Sequence, residues 1–444
     1  MKLTYGIKDK PTVGKVFLFA LQQMLAILAA TIAVPAIIGN GMSQSAALFG
    51  AGAGTIVYIL FTKFKSPVFL GSSFAFLGSM AAAFAGGVSA SAGYLGLIIG
   101  AVCAGLVYVV IAIVVKFAGV KWIDKLMPAV VIGPTVAIIG LSLAGNAVGD
   151  LISGSYSTTS PYIAFVCGIV TLAVTMLCSV YGNKFLKMIP FIIGIVAGYL
   201  CATVFTIIGS AAGIDAIKVV DFSAFSNMSW LPEFTFATAF SGSYDFGDFG
   251  SLASYMGTVI VAYVPVAFVV FAEHIADHKN ISSIIETDLL EDPGLSRTLL
   301  GDGVGSMVGA FFGGCPNTTY GESIGCVAIS GNASVITILA TACLALIASF
   351  VAPFTTFLAT IPACVMGGVC IALYGFIAVS GLKMIQKVDL EDNRNLFVVS
   401  VILIAGIGGL TVHFGRVTVT EVACALILGI LANVMLSGGK KKNK

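Results

Sequence analysis

Apolar runs close to bilayer-spanning length, about 20 residues, recur along the whole chain, parted by short polar breaks. Reading each run as a helix predicts 14 segments, at 14–38, 45–62, 67–85, 91–116, 126–147, 161–181, 188–211, 250–276, 297–314, 316–330, 333–352, 356–382, 395–412 and 418–437. The longest polar interruption, 212–249, divides them into two sets of seven. An odd number per half sets the halves in opposite orientations, the condition for an inverted repeat. A short internal match fits that reading. "SPVFLGSSFAF" in the third segment and "CPNTTYGESIG" in the tenth both open on a small or polar residue followed by Pro. Both then turn into Gly/Ser-rich sequence.

These two stretches break the helical pattern at membrane depth. Pro316, Gly321 and Gly325 oppose a continuous helix, as do Gly71, Ser72 and Ser73. Backbone released from helical hydrogen bonding must be buried in protein or line a polar cavity. Broken segments at matching places in two inverted halves point to a binding site near the midplane. Helix N-termini there offer free N–H groups to acceptor atoms. The plainer alternative is a pair of kinks that only shape the bundle.

Composition sharpens the picture. Of 444 residues, 58% are hydrophobic and 9% charged, and mean hydropathy is +1.06. Soluble proteins carry roughly 25% charged residues, so a water-soluble surface is excluded and a polytopic membrane protein is expected. The opening "MKLTYGIKDKPTVGK" is basic, but no small-residue cleavage site follows a short apolar core, so the first run reads as a retained helix. The net charge of +2 includes no basic patch suited to nucleic acid. The ten cysteines lie mostly in apolar runs with no CxxC pair, and read as small buried hydrophobes. Neither a metal nor a cofactor is expected. Gly301, Gly305, Gly309 and Gly313 repeat every four residues, which gives a smooth helix face for close packing.

Charge distribution tests the segment count. With the N-terminus in the cytoplasm, the inner loops hold Lys63, Lys65, Lys116, Lys121, Lys125, Lys184, Lys187, Lys279, Arg297, Lys383, Lys387 and Arg394, and the tail adds Lys440, Lys441, Lys442 and Lys444. The outer side holds only Lys218 and Arg416. The positive-inside rule favours that arrangement, with both termini cytoplasmic.

Acids inside the apolar segments are the remaining signal. Glu273 lies late in "AYVPVAFVVFAEHIADH", Glu322 in the broken tenth segment, Asp302 in "LLGDGVGSMVG", and Glu421 at the start of the last run. An acid at depth costs roughly 2.5–3.5 kcal/mol on insertion scales, and usually marks an ion or substrate site. Structural pairing is the alternative for each. It is stronger for Asp302 and Glu421, which lie near predicted segment ends.

At these residues a resemblance emerges. "AEHIADH", "LLEDPGLSRTLLGDGVGSMVGAFFGG", "PNTTYGESIG" and "PACVMGGVCIALYGFIAVSG" resemble the nucleobase–cation symporter family, as do "LQQMLAILAATIAVP" and "SPVFLGSSFAF" in the first half. The likeness covers nearly the whole chain in order. It implies an all-α fold of 14 segments in two inverted repeats, with short extended stretches in segments 3 and 10. A core domain would comprise 14–118 and 250–352, a gate domain 119–211 and 353–437, with 212–249 an extracellular connecting loop. The purine and xanthine branch typically has glutamine where Glu322 stands, so Glu322 argues for the uracil branch.

By the same resemblance, Glu273 and Glu322 match the two substrate-binding glutamates. Phe74 and Gly321 match positions whose backbone N–H groups meet substrate carbonyls, Ala30 and Tyr320 match pocket walls, and Tyr374 matches a gate-side tyrosine. Two positions depart from the pattern. Asp277 stands where a His is often found four residues after the first glutamate, and Gln23 stands for a His in the first segment. Asp302 matches an acid frequent in the family and is expected to join a polar network with Glu273.

The implied activity is proton-coupled uracil import by alternating access across the cytoplasmic membrane of a bacterium. Glu273, Glu322, Asp302 and Asp277 are the candidates for carrying the proton. Desolvation disfavours a charged carboxylate, which suits a group that binds and releases a proton. Sodium in place of the proton stays open, as does a homodimer. The rivals are another nucleobase such as xanthine or uric acid on the same fold, an anion transporter or channel of the same architecture, and a membrane enzyme. The absence of any nucleophile–base or metal-ligand pattern counts against the last.

Overall fold

The protein is described by a computed structural model over residues 3–119, 121–414 and 417–437. Arg416 and the tail lysines, which contribute to the charge asymmetry, lie outside the described residues. The first half forms α1 (Val13–Ile38), α2 (Gln44–Phe61), β1 (Leu70–Ser72), a 3-10 turn at Phe74–Phe76, α3 (Leu77–Ala83) and α4 (Ala90–Ala118). It continues with α5 (Lys121–Leu126), α6 (Ala129–Ser142), α7 (Ala144–Asp150), α8 (Pro161–Tyr181), α9 (Lys184–Met188) and α10 (Pro190–Ala212). A connecting stretch carries the short α11 (Thr235–Phe240). The second half forms α12 (Leu252–Ile285), α13 (Leu295–Gly313), β2 (Asn317–Thr319), α14 (Gly321–Ser330), α15 (Val335–Ala348) and α16 (Ala352–Ala359). It ends with α17 (Ala363–Ile385), α18 (Asn393–Ile407), β3 (Val412–Phe414), β4 (Val417–Val419) and α19 (Glu421–Ser437).

Among the described residues, eight helices are long and apolar enough to cross a membrane, or nine if α15 and α16 count as one bent span. The chain is therefore a multi-pass membrane protein. Three of its elements differ from simple apolar runs. α12 extends nine residues past 276 to Ile285, and Asp277 and His278 just past that point find partners in β2 and α2. The run after 333 does not continue straight: α15 and α16 meet at 84°. Pro353, within the first turn of α16, fits a helix start. α18 stops at Ile407, where Gly408 and Gly409 follow and Gly409 takes φ 68°. The next residues form the antiparallel β3–β4 pair, with Val412 opposite Val419.

The glycine face of α13 lies against α2. A Cβ on Gly305 would come 2.8 Å from the Gly54 carbonyl oxygen, and one on Gly313 would come 2.6 Å from that of Ala46. Backbones this close exclude any side chain, and dispersion contacts between them hold the helices together where lipid gives no hydrophobic drive.

Inside this packing, β1 and β2 pair antiparallel, with Leu70 opposite Thr319, Gly71 opposite Thr318 and Ser72 opposite Asn317. All six residues are buried. Hydrogen bonds to the backbone in and around the pair come from protein, as extended backbone at this depth requires, although the buried Ser72 hydroxyl has no hydrogen-bond partner among the described residues. Ser73 N–H donates to Pro316 O at 2.9 Å and Tyr320 N–H to Phe69 O at 3.2 Å. Leu70 N–H donates to Thr55 Oγ1 at 2.9 Å, and the Asn317 amide to Gly50 O at 2.9 Å. Each strand leads directly into a helical turn, at Phe74 and at Gly321. Two helix N-termini are thus held beside one small sheet.

Candidate functional site

A cavity of about 320 Å³ lies against those two N-termini, at the lower end of the size range of small-molecule sites. One wall is built by the paired strands, α12 and α14: Phe74, Glu273, Asp277, Thr319, Tyr320, Gly321 and Glu322. The opposite wall comes from other helices, through Val136 of α6, Phe191 of α10 and Phe376 of α17. Phe74 of the 3-10 turn, Glu273 of α12, and Tyr320, Gly321 and Glu322 at the start of α14 are therefore gathered on one cavity. Ala30 and Tyr374 are not on its lining. Ala30 is fully buried in α1, one helical turn beyond the lining residue Ala26. Tyr374 lies behind Phe74, ring edge to ring face, with centroids 5.5 Å apart.

The two glutamates arrive by different routes. Glu322 sits in the first turn of α14, where the N–H groups have no intrahelical acceptor and the helix dipole is positive. That turn is tied down from outside. The Gln23 amide donates to Ser323 O at 3.2 Å and to Ser323 Oγ at 2.5 Å, and Phe69 N–H donates to the same Oγ at 3.2 Å. Glu273 projects from α12 with Asp277 one turn later on the same face. Asp277 accepts a hydrogen bond of 2.7 Å from the Thr319 hydroxyl, which links α12 to β2.

Asp302 behaves differently from the expected network with Glu273. It is 1% exposed, and its carboxylate meets His274 Nδ1 at 2.6 Å. His274 follows Glu273 directly, so the two side chains point about 100° apart around α12. Glu273 faces the cavity while His274 faces the packed interior. His274 Nε2 also lies 3.0 Å from the Thr298 hydroxyl. One turn on, His278 Nδ1 is 2.8 Å from the His274 carbonyl. A carbonyl only accepts, so that nitrogen carries the proton, and Nε2 accepts from Tyr58 OH at 2.7 Å. Sequence spacing gave no hint of these partners, because α2 and α13 supply them.

Tyr320 forms the flat wall beside Glu322. Its hydroxyl donates to Ser72 O at 2.8 Å, which lays the ring across Gly71. A Cβ on Gly71 would overlap that ring. Gly71→Ala is expected to displace Tyr320 and to destabilise the protein by about 1–3 kcal/mol, the usual cost of overpacking. Thermal melting of the purified variant measures this; an unchanged midpoint would mean that the ring moves aside freely.

The chain has clear relatives. The Permease family matches residues 14–415. The uracil permease of Bacillus caldolyticus is 39% identical over 98% of this chain and 95% of that protein. The uracil permease of Bacillus subtilis (strain 168) is 36% identical over 99% and 97%, and that of Escherichia coli (strain K12) 33% over 96% and 92%. Among solved structures, the transmembrane domain of a cyanobacterial bicarbonate transporter, BicA, superposes with a TM-score of 0.64 at 16% identity, covering 96% of this chain and 99% of that one. SLC26A9 superposes with a TM-score of 0.68 at 10% identity, covering 97% and 66%. At such low identity the likeness is one of fold. Matched along nearly its full length by sequence, this chain belongs to the Permease family.

Proposed function

We propose that this protein imports uracil across the cytoplasmic membrane by proton symport with alternating access. The observation that carries the reading is the cavity in which Glu273, Glu322 and two helix N-termini meet. Uracil is planar, with ring N–H donors and carbonyl acceptors. Carboxylates of Glu273 and Glu322 accept from the N–H groups, and the backbone N–H groups of Phe74 and Gly321 serve the carbonyls. Phe74 and Tyr320 supply flat apolar walls, with Ala30 and Tyr374 packed behind. Relatives named uracil permease at 33–39% identity support this substrate. A cavity bearing carboxylates suits a neutral donor better than an anion.

The layout supports a moving-domain mechanism. α1, α2, α4, α12, α13 and α15 pack on one another, as do α6, α8, α10, α17, α18 and α19. We read these as a core (14–118 and 250–352) and a gate (119–211 and 353–437), in fourteen segments forming two inverted repeats. β1 and β2, one from each half, occupy corresponding places. The cavity lies between the two groups. Its lining runs on to Lys187, Asn280 and Ser380, near Lys184, Lys279 and Lys383, which on the positive-inside rule we read as cytoplasmic together with both termini. This is an inward-open arrangement. Glu273, Glu322, Asp277 and Asp302 are the groups through which a proton would be coupled to uracil affinity.

Uptake of labelled uracil into proteoliposomes tests the reading. Accumulation driven by an inward proton gradient is expected, blocked by excess uracil and not by xanthine. Competition by xanthine would transfer the site to purines. Accumulation that follows a sodium gradient alone would replace the proton.

A further inference from the structure

Outside the cavity, the segment at residues 3–9 does something that the transport reading does not use. It runs along the loop that joins α14 to α15, with Tyr5 bridged in parallel to Asn332, and then turns between Gly6 and Asp9. Thr4 N–H and Tyr5 N–H both donate to Gly331 O, at 2.7 and 3.1 Å. In return, Tyr5 O accepts from Ala333 N–H at 2.9 Å and Ile7 O from Val335 N–H at 3.2 Å. The Ser334 hydroxyl donates to Asp9 O at 2.6 Å. Ala333 and Ser334 are fully buried, and Asn332 is nearly so.

These contacts complete helix ends that otherwise lack partners. Gly331 is the left-handed C-cap of α14, and Val335 is the first residue of α15, whose early N–H groups have no acceptor in their own helix. Ser334 makes no side-chain cap to α15; its hydroxyl serves the segment instead. The segment is fastened back onto α1: Lys15 Nζ donates to Tyr5 OH at 3.0 Å, and the Tyr5 ring meets Phe19 edge to face at 6.1 Å. The Asp9 carboxylate accepts from Gly6 N–H at 2.7 Å, which closes the turn between them.

α14 has only ten residues, about 15 Å of helix. Its far end carries Gly321 and Glu322. A short rigid helix transmits a shift at one end to the other, and α14 is pinned at its first turn by Gln23 and at its last by this segment. We propose that segment 3–9 is a clasp that positions α14, and through it Glu322, within the core. The clasp rests on the transport reading only for its effect on uracil; its effect on α14 stands independently. Glu322 touches the cavity, and the clasp residues act through it.

Hydrogen-exchange mass spectrometry and uracil binding on the purified chain test this, comparing wild type, a deletion of residues 3–9 and Ser334→Ala. The deletion is expected to speed amide exchange across 321–330 by about tenfold, the loss of one to two net hydrogen bonds, with α2 and α13 unchanged. Uracil binding is expected to weaken several-fold, while the maximal rate in proteoliposomes changes less than KM. Ser334→Ala, which leaves the backbone contacts in place, is expected to show the same pattern at smaller amplitude, so an unstable deletion does not end the test. Unchanged exchange across 321–330 in both variants, or a uniform rise across all helices, would overturn the clasp. If no variant and no wild type binds uracil, the exchange data still decide the clasp, and the substrate reading alone falls.

Discussion

Uracil accumulation is expected to fall to background when Glu322 is replaced by alanine. The carboxylate stands in the first turn of α14 beside unpaired N–H groups, where the helix dipole favours a negative charge. A hydrogen bond to a charged group contributes about 1.5–3 kcal/mol, so losing one or two weakens binding by about one to four orders of magnitude. Glu322→Gln separates the roles within that loss. Glutamine keeps the volume and one acceptor but replaces a carboxylate oxygen with an NH₂ donor, which faces a uracil N–H donor. Weaker uracil binding with residual uptake that no longer responds to the proton gradient would give Glu322 both substrate and proton. Concentrative uptake with unchanged pH dependence would exclude it as the proton carrier and leave Glu273, Asp277 or Asp302. Wild-type affinity in Glu322→Ala would sink the site itself. Because Glu322 is half-buried at a cavity wall rather than packed in the core, the melting temperature is expected to move little. Lost transport would then reflect binding and not unfolding.

How much of this was legible in the sequence differs from residue to residue. The break at Gly71 and the break at Pro316 were readable, because Gly and Pro oppose helix wherever they fall. Which strands would pair, and that Tyr320 would lie over Gly71, depends on two stretches some 250 residues apart, and neither stretch carries the information alone. The glycine spacing on α13 was readable as a packing face, though not its partner α2. Glu273 and Glu322 stood out because acids are rare in apolar runs; their meeting in one cavity was an expectation of resemblance. The turn between α15 and α16 escaped because hydropathy records burial and says nothing of direction. The β3–β4 pair was signalled by alternating Val412, Phe414, Val417 and Val419. That alternation fell across the ends of two predicted helices. The partner of Asp302 was the clearest gap: the chain places His274 beside Glu273, and only the fold turns it away toward α13.

That pair gives the other large expected effect. Asp302→Ala is expected to destabilise the protein by about 1–3 kcal/mol, the cost of leaving the buried His274 nitrogen without its hydrogen-bond partner. Asp302 and His274 are 1% and 0% exposed and 2.6 Å apart. The consequences extend along α12. His274 and His278 stack with ring centroids 3.9 Å apart, and His278 is held by Tyr58, whose hydroxyl also lies 2.7 Å from Ser66 Oγ. This chain of contacts fixes the rotation of α12 from its inner face, and rotation decides where Glu273 and Asp277 point on the other. Loss of Asp302 is therefore expected to weaken uracil binding without touching the cavity. Asp302→Asn distinguishes scaffold from proton carrier, since asparagine retains the shape and an acceptor for His274 but cannot titrate. An asparagine variant with near-native melting and binding, yet without proton-driven accumulation, would put Asp302 on the proton's route. One that accumulates uracil normally would leave it a positioning residue. An alanine variant that melts with wild type would mean that α12 is held by packing alone, and that its rotation owes nothing to the acid.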